Sequence, residues 1–177
     1  MHGEPKGLMR GPEGQPLIVH LIDLCRVTLG DADIVLVGQA AAYSELALPA
    51  LADDPPAIGP MGGLCALLAE AERRGSAQAF AFACDLPYVT ARLLARLRDA
   101  EPGADAVAPR RQGMWEPLFA RYAPSRAFAA AQSVRQSGRR ALFAVLDELG
   151  PGACQLALEQ DELELLNDWD APGDVRR

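Results

Sequence analysis

The chain has 177 residues and a formal net charge of −7, from 24 acidic and 17 basic side chains. This length predicts one domain over residues 1–177, and a content of 50% apolar and 23% charged residues excludes a disordered or fibrous chain. The acidic balance argues against a nucleic-acid-binding protein, so a phosphate ligand would need a local positive charge.

In the first half of the chain, glycine and proline positions separate loops from regular structure. Residues 1–15 are predicted as loop, and Pro16 is expected at the first turn of a helix. Asp33–Val37 is a continuous apolar run typical of a buried parallel strand, and Leu46–Ala52 is a second strand candidate. The glycine-rich segment Gly59–Gly63 then opens another helix.

In the second half, apolar runs alternate with helical patterns. Gln78–Cys84 is a predicted strand that stops at Asp85, and Thr90 is expected to cap a helix that runs through Arg98. The remaining predictions are strands at 105–109, 115–122, 155–159 and 162–166, helices at 125–136 and 139–149, and a turn at 168–172.

Alternating helices and short apolar strands predict a three-layer, Rossmann-like α/β domain with a mainly parallel sheet. Ligands of such domains bind at the carboxyl ends of the strands. Candidate functional residues therefore follow the strands: Gly38, Gln39, Asp53, Asp85, Arg110 and Asp168.

The four cysteines are widely spaced among apolar residues, which predicts buried free thiols and no structural zinc site. The chain has neither an apolar run of about 18–20 residues, as a membrane span needs, nor an N-terminal apolar signal segment. We therefore expect a soluble cytoplasmic protein that contacts no membrane.

Asp85 is the strongest single candidate, because a carboxylate directly after an apolar strand can hold Mg²⁺, an ion that prefers oxygen ligands. The alternative is that Asp85 only caps the following turn. Asp168 and Asp170 would share a face of an extended segment and supply further carboxylate oxygens, or they form a turn before Pro172.

Three other features carry weaker signals. Gly59–Gly63 would let the backbone approach an anion at a helix N-terminus, and Glu116 could present a carboxylate to a polar substrate. The histidines His2 and His20 lack a nucleophile partner, so a hydrolytic triad is not expected. Lys6 is the single lysine among sixteen arginines, which suggests either chance or a site that needs a compact point charge.

Six segments occur in the order found in one known family. They are PKGL (Pro5–Leu8), GQPLIVHLID (Gly14–Asp23), GPMGGL (Gly59–Leu64), ACDLPYV (Ala83–Val89), EPLFARY (Glu116–Tyr122) and DWDAPGD (Asp168–Asp174). On these segments the chain resembles the MobA-like nucleotidyltransferases, the molybdenum cofactor guanylyltransferases, over nearly its whole length. CDLP after a strand and GPMGG before a helix are the most specific pair.

The resemblance implies transfer of GMP from Mg-GTP to the phosphate of molybdopterin, with release of pyrophosphate. It implies catalytic roles for Lys6, on the nucleotide phosphates, and for Asp85, on Mg²⁺. The other implied nucleotide-binding residues are Asp53, Gly59, Pro60, Gly62 and Gly63. Glu116, Asp168 and Asp170 would bind the acceptor, and contacts with molybdoenzymes or their chaperones would follow.

The sequence departs from the family pattern at its start, because it lacks the first strand and the glycine-rich LAGGxSxRMG loop. We expect either that Met1 is an internal methionine of a longer protein or that this is a short form with little activity. Cytidylyl transfer, sugar-phosphate nucleotidyl transfer, a non-catalytic nucleotide-binding remnant and an unrelated α/β binding domain remain alternatives.

Overall fold

The computed structural model describes residues 5–38 and 40–167, so Gln39, Asp168 and Asp170 lie outside the described residues. The described residues group into two compact units. The first comprises residues 5–34, 83–98 and 158–167, and the second comprises 35–38, 40–82 and 99–157. No helix among the described residues is long and apolar enough to cross a membrane.

Helices and strands are interleaved along the chain, as the sequence predicts, except that the four strands within residues 106–122 follow one another with no helix between them. In chain order they are α1 (Leu17–Leu29), β1 (Leu36–Val37), β2 (Ala50–Leu51), α2 (Pro60–Arg73), β3 (Ala79–Phe82), α3 (Ala91–Asp99), β4 (Ala106–Ala108), β5 (Arg110–Arg111), β6 (Met114–Trp115), β7 (Phe119–Tyr122), α4 (Pro124–Gln136), α5 (Phe143–Leu149), β8 (Ala153–Gln155) and α6 (Gln160–Glu164). Short 3₁₀ segments lie at Lys6–Leu8, Ala40–Leu46 and Gly150–Gly152.

The first unit contains α1, α6 and all of α3 except its last residue. Pro16 directly precedes α1, a position where its missing N–H costs no hydrogen bond. The apolar residues of α1 recur at helical spacing, which buries one face together with the polar Thr28. The buried apolar residues are Leu17, Ile18, Leu21, Ile22 and Cys25. At the start of α3, the backbone N–H of Leu93 donates to Thr90 Oγ1 at 3.3 Å, so Thr90 is the predicted helix cap.

The second unit contains a four-stranded sheet in the order β3-β7-β4-β8. Strand β7 runs antiparallel to both β3 and β4, whereas β4 and β8 are parallel. The sheet is therefore mixed, with three strands in one direction and β7 in the other. Strands β1 and β2 form a separate parallel pair.

Small residues build the core of the second unit. Helices α2, α4 and α5 share one apolar cluster with the sheet, and α4 contributes the buried alanines Ala127, Ala130 and Ala131. Alanine side chains let helix and strand backbones approach closely, which explains how such short strands support a close-packed core.

Several predicted elements differ from the structure. The predicted strand 46–52 is reduced to β2 (Ala50–Leu51), and the predicted strand 155–159 is found earlier in the chain, as β8 (Ala153–Gln155). Pro117 lacks an N–H and Phe119 N donates to Glu116 O, so the predicted strand 115–122 is split into β6 and β7. Residues 139–142 of the predicted helix 139–149 lie outside α5, which begins at Phe143; they follow Gly138, where φ is +79°. The predicted strand 162–166 is wrong: Glu159 and Glu162 form a reciprocal capping box that begins α6.

The cysteines are free thiols, as the sequence predicts. Cys25 and Cys65 are buried, whereas Cys84 and Cys154 are only half-buried. Burial raises the pKa of Cys25 to about 11, which keeps this thiol protonated at neutral pH.

Removing the cap of α3 should lower stability by a defined amount. Thr90→Ala deletes the oxygen that accepts the Leu93 N–H, and we expect a loss of about 1 kcal/mol in the free energy of unfolding, measured by urea denaturation. Thr90→Ser keeps that oxygen and should remain near the wild type. Equal unfolding midpoints for the two variants would contradict the capping role.

Candidate functional site

Lys6 lies on a short turn of the first unit that is held by backbone hydrogen bonds. Leu8 N donates to Pro5 O at 2.8 Å and Met9 N to Lys6 O at 3.1 Å, which closes the 3₁₀ turn Lys6–Leu8. Leu17 N, at the start of α1, donates to Met9 O at 3.0 Å. The backbone that carries Lys6 is therefore fixed to the N-terminal end of α1.

Asp85 lies on the turn between β3 and α3. The turn is held by apolar burial on its far side, since Leu86 and Val89 are only 7% and 1% exposed. Beyond it, Thr90 caps α3. The Asp85 carboxylate is thus carried by a segment with little freedom to shift, and its own side chain is 15% exposed.

The structure brings Lys6 and Asp85 together. Lys6 Nζ donates to Asp85 Oδ2 at 3.1 Å, although 79 residues separate the two in the chain. The Lys6 side chain is 46% exposed, so solvent screens the pair and limits its contribution to stability to about 1 kcal/mol or less. An ammonium and a carboxylate at one position are suited to a ligand that carries both phosphate groups and a metal ion.

The donor set fits Mg²⁺ bound together with a nucleotide. Asp85 supplies a hard carboxylate oxygen, and the described residues contain no group of three or more His, Cys, Asp or Glu side chains that could hold a metal ion on their own. Mg²⁺ commonly combines one or two protein carboxylates with phosphate oxygens and water. Asp85 is the described residue that would hold it.

Asp53 lies beside glycines in the second unit. If Gly38 carried a Cβ atom, that atom would lie 3.6 Å from Asp53 Oδ1, and a Cβ atom on Gly63 would lie 3.3 Å from the same oxygen. At Gly62, a Cβ would lie 2.5 Å from the carbonyl oxygen of Pro55, which a folded backbone does not tolerate. Glycine is therefore required at position 62, where the Pro55 backbone approaches α2, whereas the Asp53 carboxylate packs tightly against Gly63 and at ordinary contact distance from Gly38.

The start of α2 is shaped by Gly59 and Pro60. Gly59 has φ +67° and ψ −151°, a conformation that favours glycine, and Pro60 occupies the first helical position. Gly62 N donates to Gly59 O at 2.9 Å, and Gly62 O accepts from Asp54 N at 3.2 Å. The two predicted groups of site residues thus fall in different units, with Lys6 and Asp85 in the first and Asp53 and Gly59–Gly63 in the second.

Glu116 already has a charged partner. Arg111 Nε donates to Glu116 Oε1 at 2.6 Å, across the base of the hairpin formed by β5 and β6. Gln112 and Gly113, the two residues that connect these strands, both have positive φ, as a tight two-residue hairpin turn requires. A substrate that uses the Glu116 carboxylate must therefore compete with Arg111.

The second unit also contains a cavity of about 430 Å³ that sequence reasoning did not find. Arg110 stacks over the Trp115 ring at 3.8 Å, and Trp115 Nε1 donates to Asp147 Oδ1 at 3.0 Å. The position of Arg110 after β4 makes it a candidate from sequence, but Asp147 belongs to α5 and gives no local signal.

Comparison with known proteins identifies the family. Residues 1–150 match the MobA-like NTP transferase domain. The chain belongs to this family. It is 32% identical over 171 residues to a molybdenum cofactor guanylyltransferase of Pseudomonas fluorescens (strain SBW25), in a match that covers 94% of this chain and 82% of that protein. A protein of the same name from Pseudomonas syringae pv. syringae (strain B728a) is 31% identical over 170 residues, with the same coverage.

Solved structures show the same fold. Molybdopterin-guanine dinucleotide biosynthesis protein A from Archaeoglobus fulgidus has a TM-score of 0.68 at 23% identity, in a match that covers 96% of this chain and 86% of that one. The 2-C-methyl-D-erythritol 4-phosphate cytidylyltransferase from Thermus thermophilus has a TM-score of 0.67 at 16% identity, with coverages of 97% and 91%. The predicted α/β nucleotidyltransferase-like fold is confirmed, and this MobA-like chain is assigned to the nucleotidyltransferases.

The close approach at Gly62 predicts an unequal response to alanine. Gly62→Ala should destabilise the MobA-like chain by about 1–3 kcal/mol, because its Cβ would meet the Pro55 backbone carbonyl. Gly63→Ala should cost less, since its nearest neighbours are side chains of Val37 and Asp53. Denaturant unfolding measures both.

Gly103→Ala is the matched control, because nothing lies within 4 Å of a Cβ there. Its stability should stay within about 0.5 kcal/mol of the wild type. A Gly62→Ala variant as stable as Gly103→Ala would contradict the close approach.

Proposed function

We propose that the chain transfers GMP from Mg-GTP to the phosphate of molybdopterin and releases pyrophosphate. The observation that carries the proposal is the Lys6–Asp85 ion pair, which joins a phosphate-binding cation to a metal-binding carboxylate in a MobA-like chain. The names of the bacterial relatives support the choice of nucleotide and acceptor. A cytoplasmic location and contacts with molybdoenzymes or their chaperones remain predictions.

The proposed reaction exchanges one phosphorus–oxygen bond for another. A phosphate oxygen of the acceptor attacks the α-phosphorus of GTP, and the bond from that phosphorus to the bridging oxygen of the β-phosphate breaks. The electron pair leaves with pyrophosphate. Such a reaction needs in-line placement and charge neutralisation more than covalent help from the protein.

Lys6 and a Mg²⁺ ion held by Asp85 would share the charge neutralisation. When bound at Asp85, Mg²⁺ would neutralise negative charge on the nucleotide phosphates. The Lys6 ammonium, released from Asp85, donates hydrogen bonds to the same phosphates as a point charge. A local cation of this kind is what a chain of net charge −7 needs in order to bind a polyphosphate.

Asp53 and the glycines at the start of α2 are proposed to bind the nucleoside. A carboxylate accepts hydrogen bonds only, and a guanine edge offers it two adjacent N–H donors. Cytosine offers a single exocyclic amino group, so Asp53 favours guanine. The proposed acceptor-binding residues are Glu116, Asp168 and Asp170, of which Glu116 must first separate from Arg111.

A direct assay tests the reaction. Purified protein with Mg²⁺, GTP and molybdopterin should release pyrophosphate and form a guanine dinucleotide detectable by mass spectrometry. Replacing GTP by CTP should lower the rate by at least about tenfold. Faster turnover of CTP would favour the cytidylyl alternative, and GTP binding without turnover would favour the non-catalytic one.

Variants test the two residues of the ion pair. Asp85→Asn and Lys6→Met should each lower kcat/KM for GTP by about 100-fold or more, because Asp85→Asn removes the carboxylate that would hold Mg²⁺ and Lys6→Met removes the cation that contacts the phosphates. Asp161→Asn, an exposed carboxylate at the start of α6, is the control and should match the wild type. Normal turnover by Asp85→Asn would exclude the proposed role of Asp85.

A further inference from the structure

His20 makes two hydrogen bonds within the first unit. Its Nε2 lies 3.2 Å from the carbonyl oxygen of Val89, and its Nδ1 lies 3.4 Å from Gln15 Nε2. Glu13 Oε2 is 3.8 Å from the same Nδ1, and the His20 side chain is 18% exposed. His20 therefore joins α1 to the segment that follows Asp85.

The chemistry of the partners assigns the protons of the ring. A carbonyl oxygen only accepts, so Nε2 carries the hydrogen and donates to Val89. With the hydrogen on Nε2, Nδ1 is the acceptor of a hydrogen bond from the Gln15 amide.

The surroundings of His20 leave no space for a substrate. The cavity beside it measures about 10 Å³, which is no more than one water molecule needs. Glu13, Gln15 and Pro87 are among its lining residues. His20 is therefore suited to hold a neighbouring segment and not to exchange protons with a ligand.

The two turns that carry Lys6 and Asp85 are both hydrogen-bonded to α1. The Lys6 turn is fixed to it by the bond from Leu17 N to Met9 O, and the Asp85 turn is fixed to it by the bond from His20 to Val89, four residues beyond Asp85. A shift of either turn along α1 changes the distance from Nζ to Oδ2.

We propose that His20 is a positioning residue for nucleotidyl transfer, because its Nε2–H bond to Val89 O fixes the turn that carries Asp85. This inference rests on the proposed function. Displacement of a reacting group by about 1 Å can cost about 100-fold in rate. Loss of the bond should therefore affect turnover more strongly than folding.

Two isosteric substitutions separate the two ring nitrogens. The amide nitrogen of His20→Gln reaches the position of Nε2 and can still donate to Val89 O, whereas that of His20→Asn reaches only the position of Nδ1. We expect His20→Gln to keep kcat for GTP within about threefold of the wild type and His20→Asn to lower it by at least about tenfold. KM should change less than kcat in both.

Thermal unfolding and hydrogen exchange distinguish positioning from a purely structural role. The Tm values of the two variants should agree within a few degrees, while amides of the peptide 83–90 exchange faster in His20→Asn than in His20→Gln. Equal kcat values for the two variants, or a kcat that simply follows Tm, would overturn the inference.

Different measurements test the proposed function and the inference about His20. If the wild type forms no dinucleotide, the reaction is wrong. Faster exchange of the peptide 83–90 in His20→Asn alone would then still support the anchoring of the Asp85 turn, and equal exchange in both variants would refute it.

Discussion

The ion pair between Lys6 and Asp85 requires the first unit to hold two distant segments of the chain side by side. Its atoms are 3.1 Å apart, yet they come from segments 79 residues apart in the chain. A partly exposed pair adds too little free energy to hold two such segments in place by itself. Backbone hydrogen bonds to α1, burial of Leu86 and Val89, and the Thr90 cap must therefore fix the geometry that the pair then uses.

The second unit depends on a different feature, which is the absence of a side chain at two glycines of α2. Gly62 packs against the Pro55 carbonyl and Gly63 against Asp53, and the Pro55 backbone lies closer to α2 than a larger residue at position 62 would allow. Hydrogen bonds and apolar burial position the first group of predicted site residues, whereas close packing against glycines positions the second. Substitutions in the two groups should therefore act through different physical effects. The alanine-rich core of the second unit is too closely packed to accommodate an added methyl group easily.

Local signals in the sequence were sufficient for much of the fold. Pro16 and Thr90 mark helix starts because the missing N–H of proline and the hydroxyl of threonine act within one turn. Two strand predictions failed because another local interaction determined the backbone conformation. Pro117 interrupts the predicted strand 115–122, and the capping box of Glu159 and Glu162 starts a helix where the apolar pattern of 162–166 predicted a strand. The contact between Lys6 and Asp85 and the role of His20 depend on tertiary packing, which spacing in a single sequence does not encode.

In the proposed reaction, Lys6 would serve two partners, Asp85 and the nucleotide phosphates, and this favours lysine over arginine at position 6. An arginine fork would bind a carboxylate through two parallel hydrogen bonds and hold it more tightly. A single ammonium contacts Asp85 through Oδ2 and, at 46% exposure, has a low cost of separation. In the proposed reaction it must leave that carboxylate when Mg²⁺ and the nucleotide phosphates arrive together. In a chain that otherwise uses arginine for its side-chain cations, the proposed reaction therefore gives a physical reason for a lysine at position 6: its bond to Asp85 would pre-position the charge and still exchange for the phosphates.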